Sequence, residues 1–269
     1  MSAWEILLPA FVFSGLLVAT HTYLGLHVLA RGIIFVDLAL AQMAALGASI
    51  AFLIGHDAHG PTAQLFAFGA AVAAGGAFTL LRRVPDKTTR EVVIGSAYVI
   101  ATAVSVLILS QSAQGMDELK SLFNGSILWV SWSEVGLVAM AYAVLTALHM
   151  IFWRKFSALS FIDGEEKGPS FLWEFSFFAS FAVVITLAVN TAGVLIVFAF
   201  LILPAFSASL VAHRFTNRLW LGWAGGLIAS ILGLWLAYLA DLPVGATIVT
   251  VCGVLPIVAL AVRPAIRSR

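Results

Sequence analysis

The sequence predicts an all-α protein, a polytopic membrane bundle of about nine spanning helices (eight to ten), its N-terminus outside and its C-terminus cytoplasmic. Three observations predict it. The 269 residues are 62% hydrophobic and only 10% charged, with mean hydropathy +1.05, whereas soluble domains carry about 25% charged residues. The apolar residues gather in runs near 20 residues, too long and too uniform for the short alternating strands of a β-barrel. Finally, the basic residues fall almost entirely on alternate connections. The chain reads as one transmembrane domain, 1–269.

The runs lie near residues 6–29, 33–54, 62–81, 92–112, 134–152, 171–189, 192–212, 219–239 and 244–262. The first, opened by MSAWEILLPAFVF, lacks a basic n-region and a small-residue cleavage site, so it is expected to be a retained span. The second, from Ile33 to Ile54, carries one acid, Asp37. Asp37, Ala41, Ala44 and Ala48 stand at i, i+4, i+7 and i+11, an acid on a small-residue face that suits close helix approach. A charge near the bilayer centre costs at least about 2.5 kcal/mol, so Asp37 should face protein or water.

Placing Arg31 inside puts thirteen of the fourteen Lys and Arg residues inside, leaving only Lys120 outside, which requires an odd number of spans. Gly55 to Pro61 forms an outer turn with His56, Asp57 and His59, a candidate metal mouth. Residues 113–133 are too polar to span and read as an outer interfacial or re-entrant segment broken at Asn124-Gly125. The longest charged inner loop, about 153–168, mixes both signs. Glu134 and Glu174 stand at span ends and read as interfacial, and His149 and His213 lie near the inner surface. Gly222 and Gly226 form a GxxxG pair for tight packing in the eighth span. The single cysteine, Cys252, excludes an intrachain disulfide. No GxxxxGK[ST], HExxH or GxSxG sequence is present, so neither ATP hydrolysis nor intramembrane hydrolysis is expected of this chain.

The chain resembles the membrane permease subunits of ATP-binding-cassette importers for zinc, manganese and iron. The resemblance is carried by LGLHVLARGIIFVDLALAQMAALG (Leu24 to Gly47), LFNGSILWVSWSEV (Leu122 to Val135), VLIVFAFLILPAFSASLVAHR (Val194 to Arg214) and DLPVGATIV (Asp241 to Val249). It implies a permease homodimer in the bacterial inner membrane, two cytoplasmic ATPase subunits that bind the ATP, an extracytoplasmic substrate-binding protein, and no cofactor in this chain. It also implies a coupling helix in the loop after the fifth span, typically S-F-D-x-E-x-A. Here Ser160-Phe161-Ile162-Asp163-Gly164-Glu165-Glu166 is similar, with Ile162 inserted, and nominates Phe161, Asp163, Glu165 and Glu166 for coupling to the ATPase.

The second span of the family contains G-D-x-x-x-H-x-x-x-x-G, whose Asp and His are associated with metal passage. Aligned on Gly47, this chain has Leu38 and Gln42 at those positions, and Asp37 stands one residue early. Asp37 and Gln42 are then about 140° apart on the helix, and they do not form an i, i+4 chelate. Asp37, Gln42, His27 and His21 are the candidate pathway residues, and Asp37, His56, Asp57 and His59 the candidate metal ligands. The resemblance implies a divalent metal as substrate or, with imidazole replaced by the weaker amide of Gln42, a siderophore-like metal chelate or a non-metal substrate. A proton- or sodium-coupled secondary carrier is the reading from a different class, with Asp37 its only deep acid.

Overall fold

A computed structural model describes residues 3–57, 60–111, 127–161 and 170–267. The described residues are helical: α1 Ala3–Arg31, α2 Val36–Leu53, α3 Pro61–Thr79, α4 Lys87–Leu109, α5 Trp132–Ile151, α6 Trp153–Phe161, α7 Phe171–Ala192, α8 Val194–Val211, α9 Phe215–Ala240 and α10 Val244–Arg267. All but α6 are long and apolar enough to cross a membrane, so nine spans are present among the described residues, as the apolar runs require. α4 begins five residues earlier than its apolar run. Asp86 caps it, its carboxylate accepting from the Thr89 amide at 2.7 Å and the Thr89 hydroxyl at 2.5 Å, which stabilises a polar first turn. α5 starts with a capping box: Glu134 accepts from the Ser131 amide at 2.8 Å and Ser131 Oγ accepts from the Glu134 amide at 3.2 Å. Glu134 is exposed at this helix end, as expected.

The chain gathers into two compact units. The first comprises Met1–Leu29, Asn124–Thr146 and Thr191–Arg269, and the second Ala30–Phe123 and Ala147–Asn190.

In the first unit α8, α9 and α10 pack on one another. Between lipid-spanning helices the hydrophobic effect drives little, so close backbone approach must supply the attraction. Gly25 of α1 lies so near α8 that a Cβ there would stand 1.9 Å from the Leu201 carbonyl oxygen. The GxxxG pair works as expected: Cβ atoms at Gly222 and Gly226 would meet Thr22 and Val18 of α1 at 2.5 and 2.7 Å. Trp223 Nε1 donates to the Ala19 carbonyl at 2.9 Å, fixing the same pair of helices.

In the second unit α2 packs on both α3 and α4. A Cβ at Gly47 would stand 2.3 Å from the Phe66 carbonyl oxygen. Ala41 and Ala44 are buried and Ala48 half-buried, so the small-residue face does admit neighbours. Buried Ser49, Thr79 and Ser105 each donate to the carbonyl four residues back at 2.8 Å, which satisfies their hydroxyls without another helix.

Candidate functional site at the start of α2

α1 ends at Arg31, and Gly32 turns the chain at φ 64°. α2 then opens without a side-chain cap. Its leading amide, Phe35 N–H, donates instead to Glu91 Oε1 of α4 at 2.8 Å. Asp37 is the second residue of α2, where the N-terminal end of the helix dipole favours negative charge. It is only 1% exposed, and neither carboxylate oxygen has a hydrogen-bond partner among the described residues. A buried carboxylate without a partner is strongly disfavoured, so this position is stable only when a proton, water or a cation meets it. Gln42 is also buried on α2, on another face of the helix.

His21 and His27 both lie on α1 and are buried. His21 Nδ1–H donates to the Leu17 carbonyl at 2.9 Å, which leaves Nε2 as a lone-pair acceptor with no partner among the described residues. His27 packs edge-on against Tyr23 and Phe215, with centroid distances of 4.8 and 6.0 Å. His56 and Asp57 are exposed in the α2–α3 turn, while His59 lies outside the described residues. Among the described residues no three His, Cys, Asp or Glu side chains gather in a group that could hold a metal ion. Phe161 closes α6 and is 39% exposed. Asp163, Glu165 and Glu166 lie outside the described residues.

Two features escape the sequence reading. Glu174 is not interfacial: it is 3% exposed and forms a buried ion pair with Arg31, whose guanidinium lies 4.6 Å and 5.1 Å from the ring centroids of Phe177 and Phe178. An acid inside the aromatic run FLWEFSFF is a signal for such a partner, because Glu is almost never buried alone. His149, similarly, is buried rather than superficial. Its ring stacks on Phe156 of α6 at 3.9 Å, and its Nε2 lies 2.9 Å from Ser180 Oγ. Ser180 Oγ already donates to the Phe177 carbonyl, so Nε2–H is the donor to that hydroxyl.

The profile of the ABC 3 transport family matches residues 3–263. Curated relatives include a manganese transport system membrane protein of Listeria innocua, 24% identical over 90% of this chain and 85% of that protein. A probable iron transport system membrane protein of Haemophilus influenzae is 23% identical over 97% and 92%. A chelated iron transport system membrane protein of Yersinia pestis is 25% identical over 92% and 83%. Among solved structures, PsaBC of Streptococcus pneumoniae in complex with a Fab aligns with TM-score 0.79 at 20% identity, over 98% of this chain and 94% of that one. A metal-chelate type ABC transporter in an inward-facing conformation aligns with TM-score 0.67 at 16% identity, over 96% and 88%. With nine apolar helices among its described residues, the protein is a multi-pass inner-membrane permease, and it belongs to the ABC 3 transport family.

Proposed function

We propose that this chain is the membrane-spanning permease of an ATP-driven importer for a divalent metal ion or metal chelate. Its substrate would arrive on an extracytoplasmic binding protein. The working unit would be a permease homodimer with two cytoplasmic ATPase subunits, since this chain has no phosphate-binding loop of its own. The relatives named for manganese and iron support those ions as first substrates. The observation that carries the reading is Asp37, a buried carboxylate left without a partner at the head of α2. Its nearest basic neighbour in the chain, Arg31, is already paired with Glu174, which argues against Asp37 as a structural ion-pair member. His21, with its open Nε2, is a separate candidate pathway group in the first unit. A metal chelate is the second substrate class, favoured by an amide at Gln42.

The N-terminus is outside and the C-terminus cytoplasmic, because thirteen of fourteen basic residues then face the cytoplasm. That orientation puts α6 and the segment to residue 168 on the ATPase side, with Phe161, Asp163, Glu165 and Glu166 as its docking groups. ATP binding would close the ATPase pair and shift the permease population from inward- to outward-facing.

The test is uptake of Mn2+ into proteoliposomes holding the whole complex. Asp37→Asn keeps shape and hydrogen bonding but removes the charge. Assembly should persist while uptake falls by about tenfold or more, equal to about 1.4 kcal/mol in the barrier. Normal uptake by that variant removes Asp37 from the pathway, and uptake driven by an ion gradient without ATP selects the secondary carrier instead.

A further inference from the structure

We propose that the buried Arg31–Glu174 pair is the link that carries displacement of α6 to the first turn of α2, making Arg31 a positioning residue for Asp37. The proposal rests on the reading of the chain as the permease of an ATP-driven importer.

The contacts run unbroken within the second unit. Phe156 is the buried residue of α6 and is fully enclosed. One face of its ring stacks on His149, and its edge meets Trp173 of α7 at 5.8 Å. Phe152, just before α6, also packs on Trp173 at 5.0 Å. His149 is tied to α7 a second time through Ser180. α6 is therefore clamped to the opening turns of α7, and a shift of α6 must either drag α7 or break that aromatic packing. The residue after Trp173 is Glu174, and its carboxylate holds Arg31. Arg31 is the last residue of α1; Gly32, the anchored Phe35 amide and Asp37 follow within six positions.

A purely structural contact would not be built this way. A buried ion pair adds little net stability, and apolar residues of similar volume commonly do as well. This one is also incomplete. Arg31 Nη1 has no partner among the described residues, and neither does Glu91 Oε2, whose sister oxygen holds the Phe35 amide. Arg31 thus keeps a donor open for a second partner, and two arrangements of unequal energy are what a transmitted movement requires.

The test uses the full complex in proteoliposomes, with permease, ATPase and Mn2+-loaded binding protein, reading both ATP hydrolysis and Mn2+ uptake. The double variant Arg31→Met with Glu174→Met should assemble and keep basal hydrolysis within about twofold, while uptake per ATP falls by about tenfold or more. Arg31→Lys keeps the charge and should recover part of that ratio. Unchanged uptake per ATP in the double variant overturns the proposal, and so does its failure to assemble, which would make the pair a support of the fold. Failure of the unaltered complex to couple ATP to Mn2+ uptake would instead count against the importer reading, before any variant is compared.

Discussion

The two units bury different chemistry. In the first, the buried polar residues are Ser14, His21, Thr22, His27, Ser207, Ser230 and Thr247, and no Asp, Glu, Lys or Arg is buried among its described residues. Its helices are held by glycines that bring backbones into contact. In the second unit Arg31, Asp37 and Glu174 are all buried, alongside Gln42 and His149. Both units use glycine contacts, so charge is what separates them. Buried charge is costly in a membrane, and the unit that bears it is the one whose conformational energy can be altered by moving a proton, a cation or a partner group. The first unit has the makings of a frame and the second of a mechanism.

That contrast can be broken in the second unit first. Glu174→Ala leaves Arg31 buried without its carboxylate and should destabilise the permease by about 3–5 kcal/mol, measured by denaturant or thermal unfolding in detergent. Adding Arg31→Met should return most of that loss. If the single change is harmless, the buried charge is not sustained by its partner.

A smaller effect tests the frame. Gly25→Ala would place a methyl group against the Leu201 carbonyl and should cost about 1–3 kcal/mol or more, because a backbone cannot rotate aside. Gly253→Ala, with open space around its Cβ position, should stay within about 0.5 kcal/mol in the same assay. Equal tolerance at the two positions would deny that close backbone approach holds the first unit.

The smallest effect lies at the surface. Hydrogen bonds from the Thr89 hydroxyl and amide hold the Asp86 carboxyl below the usual aspartate range. A carboxyl lowered in the folded state stabilises above its unfolded value and loses that contribution as pH falls through its folded value. Asp86→Ala should slightly lower stability at neutral pH, and the difference from the unaltered protein should shrink in acid. A pH-independent difference would remove the cap as its source.

The membrane architecture was open to sequence reasoning because each span must satisfy its backbone internally, which forces long apolar runs that are visible one residue at a time. Asp37 was legible for the same reason: an acid stands out in an apolar run. The GxxxG pair was readable because its spacing alone defines a helix face. The Arg31–Glu174 pair was not, since its members lie 143 positions apart and each sits near a span end, where charge is ordinary. His149 escaped for a related reason. Only the return of α6 and the position of Ser180 turn an end-of-helix imidazole into a buried, oriented one.

α7 and α8 are separated by a single residue, Gly193, at φ 80° and ψ 158°, a backbone state open almost only to glycine. Between Phe171 and Val211 the chain therefore offers an inserting machinery no polar loop at which to pause. The two spans follow each other with Gly193 as their whole connection. Their sidedness is then settled by the charges that flank them, Lys167 before and Arg214 after, which two consecutive crossings leave on the same side. A side chain at position 193 would thus be felt during biogenesis, before any transport step exists to be impaired.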